Sequence, residues 1–220
     1  MRTINRQSLS LADQVYEALE KNILSGVYRK GEILTENRLS SELGVSRTPI
    51  REALSALEQE HFVESQGKGV IVLGITLKDV VQIFEVRKRI EGLAARECAV
   101  HITEKGISEL QEILDLQEFY LMKNDSEKAQ TYDSQFHERI YYYSASVTYY
   151  DTLLPLHKKV QKYRQSSLEY HERGMESLQE HKRILEALKK GDGDQAEEEM
   201  LTHVINAEKN IMQLSKEVEL

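Results

Sequence analysis

From Leu77 to Leu220 the chain carries a single proline, Pro155, and few glycines. Little in this stretch can interrupt a helix. Apolar residues recur through it at helical spacing, and the pattern predicts six helices at about 77–100, 103–123, 125–145, 148–171, 173–190 and 192–217. Thr76, Thr103 and Asp192 stand at cap positions. Pro155, early in the fourth of these helices, predicts a kink. Six helices with apolar stripes can satisfy one another, so residues 77–220 are expected to form an all-α bundle.

Residues 1–76 read differently. Leu11, Val15, Leu19 and Ile23 recur every four residues and predict a helix ended by Gly26. Val27 to Leu34 reads as a turn and a short extended piece. Thr35 caps a short helix, about Glu36 to Leu43, which Gly44 stops. Ser46 caps a third helix, Arg47 to His61, with Pro49 in its first turn. A helix, a glycine-containing turn and a second helix make a helix-turn-helix. Two β-type runs follow, Phe62–Ser65 and Val70–Leu73, around the tip Gln66-Gly67-Lys68-Gly69. A hairpin in that place is a wing. The expected fold class is mainly α: an N-terminal winged helix-turn-helix (1–76) and a C-terminal all-α helical bundle (77–220).

Bulk properties narrow the function. Hydrophobic residues are 40% and charged residues 30% of the 220, the balance of a globular protein. No apolar run reaches the ~18 residues that span a bilayer. The N-terminus lacks an apolar leader core, which predicts a cytoplasmic protein without membrane association. Cys98 is the one cysteine, excludes an intrachain disulfide, and reads as packing. The net charge of −8 is unevenly spread: residues 1–76 hold 9 Lys+Arg against 10 Asp+Glu, and residues 77–220 hold 20 against 27. The nearly neutral half can present arginines to nucleic acid while the acidic half faces away.

The richest run is Gly44-Val45-Ser46-Arg47-Thr48-Pro49-Ile50-Arg51-Glu52-Ala53-Leu54. Ile50, Ala53, Leu54 and Leu57 form its buried stripe, which leaves Arg47, Thr48 and Arg51 on other faces of the first turns. Recognition helices reach base edges with their N-terminal residues, and an arginine fork fits guanine O6 and N7. Ser46 and Thr48 offer hydroxyls, and the helix N-terminus its N–H groups, to phosphates. Lys68 at the wing tip can reach the DNA backbone or minor groove. Taken alone, two arginines four apart would be an ordinary solvated face.

Residues 9–73 resemble the GntR family of bacterial regulators. The resemblance rests on Val15-Tyr16, Ile23-Leu24, Gly31-Glu32, Leu34-Thr35-Glu36, Leu39, Leu43 to Leu54, Leu57-Glu58 and Phe62-Val63. It implies that Arg47 and Arg51 contact guanines, that Thr48 and Pro49 approach the backbone, and that Gly67 lies near the minor groove. Some members place an arginine two residues before the leucine matching Leu39; this chain has Asn37 there and Arg38 beside it. The resemblance implies a transcription regulator that acts as a homodimer on a palindromic double-stranded operator.

In the second half, Asp133 and His137 are four apart on one helix face. His181 sits among Leu178, Ile184, Leu185 and Leu188, and His203 among Met200, Val204 and Ala207. Each histidine alone reads as a core histidine with a backbone partner. Together, three imidazoles and a carboxylate on three helices suit a divalent transition metal such as zinc or nickel, with coordination positions left open. This half resembles the FCD ligand-binding domain, in its shorter six-helix form, through Val86-Arg87, Ile90-Glu91, Ala94-Ala95, Asp133…Phe136-His137…Ile140, Glu180-His181…Ile184, Ala187-Leu188, Gly191-Asp192 and Met200…His203. The resemblance implies a metal on Asp133, His137, His181 and His203 and a small carboxylate effector, with Arg87 and then Arg164 as its candidate partners. Many members have an asparagine-containing turn where this chain reads Ser144 to Thr148.

Two other readings stay on the page. A water-activating metalloenzyme would draw on His137-Glu138-Arg139-Ile140-Tyr141, but the second histidine of the zinc-protease motif is missing. A metal-free binding domain is the other. Tyr141, Tyr142, Tyr143, Tyr149 and Tyr150 form a cluster that reads as packing, pocket lining or a dimer contact.

Overall fold

The structure is a computed structural model that describes residues 10–165 and 170–218, without the side chains of 161–165, 170–172 and 214–218. The chain divides into two compact units, Met1–Thr76 and Leu77–Leu220.

The first unit runs α1 (Leu11–Leu24), β1 (Ile33–Leu34), α2 (Glu36–Leu43), α3 (Arg47–Gln59), β2 (Val63–Gln66) and β3 (Gly69–Val72). Ser10 and Asp13 close a capping box at the start of α1, and Thr35 Oγ1 accepts from the Arg38 N–H at the start of α2. Gly44 ends α2 at φ +67°, a left-handed conformation that glycine adopts without the Cβ penalty. Val15, Leu19, Leu34, Leu39, Ile50, Leu57, Phe62 and Val72 form one core. Burial of each large side chain contributes roughly 1.5–3 kcal/mol. Leu11, expected on the buried stripe of α1, is half exposed, because the core is met only from the second turn on.

The three strands form an antiparallel sheet in the order β1-β3-β2. Gln66 pairs with Gly69, which leaves Gly67 and Lys68 as the two-residue tip of the wing, and Leu34 pairs with Val70. A Cβ on Gly69 would stand 2.3 Å from the Leu34 carbonyl oxygen, so only glycine lets β1 close on the hairpin. This unit is a winged helix-turn-helix.

The second unit is all-helical: α4 (Leu77–His101), α5 (Glu104–Met122), α6 (Ser126–Tyr143), α7 (Val147–Gln165), α8 (Tyr170–Lys190) and α9 (Gly193–Val218). Thr103, Asp125 and Asp192 accept hydrogen bonds from first-turn N–H groups of α5, α6 and α9. Helix α4 packs along α9, α5 on α6 and α8, and α8 on α9. Phe84, Leu110, Leu114, Phe136, Ile140, Ile184 and Val204 lie buried between them. Cys98 is buried in α4, and burial pushes its thiol up to about 12. Among the described residues, no helix is long and apolar enough to cross a membrane.

Candidate functional site

In the first unit, the N-terminal turns of α3 carry Ser46, Arg47, Thr48 and Arg51 on the surface. Ser46 holds the cap position, but its side chain makes no capping hydrogen bond, so the expected cap leaves its hydroxyl outward. Pro49 is buried. It packs inward in the first turn of α3, where its missing N–H costs nothing.

Arg51 donates from Nε and Nη2 to both oxygens of Glu36, at 2.8 and 2.9 Å. This hydrogen bond holds the Glu36 carboxyl below its usual range. Arg38 is held in the same manner, by Glu42 and Glu32 at 2.7 Å each. Arg51, Ser55, Lys68 and Gly69 line one groove between α3 and the wing, and Gly67 at the exposed tip closes it.

In the second unit, Asp133 and His137 on α6, His181 on α8 and His203 on α9 are all buried. One ring nitrogen from each histidine lies within 4.8 Å of the other two. The hydrogen bonds behind the rings decide which nitrogen faces inward. Glu91 Oε1 on α4 accepts from His137 Nδ1 at 2.9 Å. Burial would raise the Glu91 carboxyl, but the Arg87 charge and the His137 bond outweigh it and hold the group well below its usual range, so Glu91 only accepts. Glu180 Oε2 accepts from His203 Nδ1 at 2.8 Å, and its carboxyl is lowered to about 2, against its burial, by His203 and Arg173.

For His181 the partner is an amide. Gln117 Nε2 donates to Asp133 Oδ1 at 3.4 Å, which fixes the amide orientation. Its Oε1 then accepts from His181 Nδ1 at 3.1 Å. Ser177 also donates to Asp133 Oδ1, at 3.0 Å. All three rings therefore use Nδ1 outward and turn Nε2 inward. The Nε2 atoms of His137 and His181 are 3.2 Å apart, and His181 Nε2 is 3.9 Å from Asp133 Oδ1. Neighbouring nitrogens on one ion, each at about 2.1 Å, stand roughly 3.0–3.4 Å apart. An Nε2 atom without a proton carries a lone pair, and two lone pairs so placed repel unless a proton or a metal cation lies between them. Burial, then the neighbouring His203, pushes the His181 imidazole well below its usual range. Burial takes His203 down to about 4 despite Glu180. The donor set and its orienting shell fit a transition metal.

Arg87 is 2% exposed and donates to both Glu91 oxygens, at 2.6 and 3.1 Å. Arg87, the first candidate partner for an effector carboxylate, thus sits in an internal pair with Glu91. The Arg164 side chain lies outside the described residues. An arginine the sequence reading passed over, Arg173 on α8, donates to Glu180 from both terminal nitrogens, while its Nε is buried without a partner.

His157 on α7 is a second omission. It is 4% exposed, its ring centroid lies 4.4 Å from that of His137, and neither ring nitrogen has a hydrogen-bond partner. An unmatched buried polar group costs about 1–3 kcal/mol. Burial, with His137 and Arg87 nearby, holds its imidazole well below the usual range. The tyrosine cluster splits: Tyr141 is buried and donates to Glu91, while Tyr141, Tyr142, Tyr143 and Tyr150 line a groove with His101 and Val147.

Comparison with known proteins agrees with both halves. Residues 11–72 match the gntR family of bacterial regulatory proteins, and residues 82–206 match the FCD domain. The Uxu operon regulator of Haemophilus influenzae is 29% identical, over 92% of this chain and 82% of that protein. The gluconate operon transcriptional repressor of Bacillus licheniformis is 33% identical, over 56% of this chain; the match spans about half (50%) of the repressor's length. The solved structure of E. coli McbR/YncC shares the fold, with a TM-score of 0.72, 23% identity, and coverage of 96% of this chain and 100% of that one. Residues 11–72 lie in the winged helix-turn-helix and residues 82–206 in the helical unit, and the chain belongs to the GntR family of bacterial regulatory proteins, with an FCD domain as its C-terminal half.

Proposed function

We propose that the protein is a DNA-binding transcription regulator whose operator affinity is set by a small carboxylate at a metal site in its FCD domain. The convergence of three imidazoles, each held from behind at Nδ1, with His181 Nε2 3.9 Å from Asp133, supports this reading. Zinc or nickel would be held by Asp133, His137, His181 and His203. The ion would supply a Lewis-acidic position for an anionic oxygen. Three neutral imidazoles and one carboxylate leave a divalent ion with an excess positive charge. Among the described residues, the buried arginines Arg87 and Arg173 are matched by Glu91 and Glu180 and leave that excess unchanged. A carboxylate ligand neutralises the excess.

In the first unit, Arg47 and Arg51 are the base-reading residues, Ser46, Thr48 and Arg38 reach phosphates, and Gly67 and Lys68 approach the minor groove. Glu36 holds the Arg51 fork in place; a guanine edge takes over both of its bonds on binding. The protein acts in the cytoplasm as a homodimer on a palindromic operator. Relatives named for the gluconate and Uxu operons support a role of the same kind, with no catalysis. Coupling between the sites is about 1–3 kcal/mol, the usual range.

DNA fragments that co-purify with the full chain, sequenced and returned to a binding assay, test this. Metal-loaded protein should bind a defined fragment with an affinity that a small carboxylate changes about 5- to 150-fold. A response that survives chelation and the double change His181→Ala, His203→Ala would contradict it.

A further inference from the structure

Around the candidate metal centre, the buried polar groups of the described residues answer one another, except Arg173 Nε, whose guanidinium is held by Glu180 through its other nitrogens, and His157. Arg87 and Tyr141 bond Glu91, His137 bonds Glu91, Gln117 bonds His181 and Asp133, and Glu180 bonds His203 and Arg173. His157 stands in the same cluster with both ring nitrogens unmatched. One of its nitrogens lies within 4.8 Å of a His137 nitrogen and a Glu91 oxygen. Nearby acceptors are already engaged: the Glu91 oxygens serve Arg87, His137 and Tyr141.

A second metal ion on Glu91, His137 and His157 does not suit this arrangement. The Arg87 guanidinium, bound to Glu91 at 2.6 Å, would face the ion as a like charge. His137 would also have to surrender the Nδ1 bond that turns its Nε2 toward His181. The unmatched ring is instead suited to a molecule that enters the site. An uncharged imidazole offers one N–H and one lone pair. A hydroxyl both accepts and donates, so one hydroxyl answers either nitrogen and two neighbouring hydroxyls answer both. A bare alkyl chain would leave both nitrogens buried and unpaired, and sites built to bond a hydroxyl discriminate strongly against ligands that lack it.

We propose that His157 is the specificity-determining residue of the C-terminal site, and that it bonds the hydroxyl groups of a hydroxylated carboxylate whose carboxylate group reaches the metal. This rests on the metal-and-carboxylate reading above. The ligand class is a short hydroxy acid or polyhydroxy acid, as opposed to a plain fatty or aromatic acid.

Propionate, lactate and glycerate share three carbons and differ by one hydroxyl at each step. Calorimetric titration of the zinc-loaded full chain with each acid tests the proposal. Wild type should bind glycerate and lactate more tightly than propionate. A 2-hydroxyl can also reach the ion, so the variant isolates the part played by His157. His157→Phe should still take one zinc per chain and bind propionate as wild type does, while its preference for glycerate over propionate falls about tenfold or more. His157→Asn, which keeps a donor and an acceptor, should retain part of that preference, and it decides the matter if the phenylalanine variant misfolds. An unchanged preference in both variants overturns the proposal, as does a wild type that prefers propionate or binds none of the three acids. Loss of zinc from the variants would make His157 a metal ligand and also overturn it. Failure of wild type to take up zinc would instead contradict the underlying metal reading.

Discussion

The Nε2 atoms of His137 and His181 face each other at 3.2 Å across the centre of the C-terminal bundle. Their rings arrive on different helices, α6 and α8, and are held from behind by different residues, Glu91 and Gln117. Two independently anchored imidazoles directed at one point are the geometry of a ligand set.

Gln117 orients His181 without a place in the ligand set. Gln117→Leu should keep the fold, since the position lies inside α5 and is fully buried. It should weaken zinc affinity about 10- to 100-fold, the usual cost of losing an orienting partner. Competition with a chromophoric chelator reads this directly, and an unchanged affinity would remove Gln117 from the account.

Glu91 has a larger structural duty. Glu91→Gln removes the charge opposite Arg87, leaves that guanidinium buried without a counter-ion, and keeps only an uncharged amide oxygen to accept from His137 and Tyr141. Breaking a buried pair on one side costs about 3–5 kcal/mol, so chemical denaturation should show a loss of that order. A change below about 1 kcal/mol would mean that Arg87 finds another partner.

Acid should destabilise the metal-free protein in two windows. His157 and His181 are held well below 6.5, and His203 near 4. The unfolded chain therefore binds protons more readily than the folded one. Stability is full above pH 6.5 and falls as the pH drops from there toward 4. Each histidine contributes at most about 1.4 kcal/mol per pH unit. Glu91 and Glu180, lowered from 4.5, contribute stability that is present above pH 4.5 and lost below it. Denaturant midpoints measured from pH 8 to 4 after chelation check the sign; a midpoint that rises toward pH 5 would contradict it.

On the DNA side, Glu36 and Arg51 form an exposed pair of little weight in stability. Arg51→Ala should leave the melting temperature nearly unchanged and weaken specific DNA binding about 5- to 150-fold. Glu36→Gln should tighten binding, because it removes a competitor and a negative charge from the groove. Fluorescence anisotropy on the co-purified fragment measures both, and full binding by the Arg51 variant would sink its base-reading role.

The wing makes a sharper structural demand. Gly69→Val would drive a Cβ into the Leu34 carbonyl at 2.3 Å and should cost about 1–3 kcal/mol through forced backbone shifts. Thermal unfolding checks this.

Much of the fold was legible because it rests on local signals. Thr35, Thr103 and Asp192 cap the helices that their positions suggest, and Gly44 ends α2 as a left-handed residue. The short extended piece that ends at Leu34 was legible, but its pairing with β3, which makes it strand β1, was not. The positions of the four candidate ligands followed from helical periodicity, but their orienting partners did not. Glu91 lies 46 residues from His137 and Gln117 64 from His181, separations that only packing closes. His157 was readable in part. It follows Leu153 by four and precedes Val160 by three, on the same buried stripe. What no stripe reveals is that its nitrogens lack partners, because that depends on what α4 and α6 bring alongside.

The most direct measurement is anomalous X-ray diffraction at the zinc or nickel edge from crystals of the metal-loaded full chain. The account predicts one peak per chain, about 2.0–2.2 Å from the Nε2 atoms of His137, His181 and His203 and from an Asp133 oxygen, with each Nδ1 still on Glu91, Gln117 or Glu180. A peak elsewhere, or saturating metal that leaves these three Nε2 atoms unligated, would contradict it.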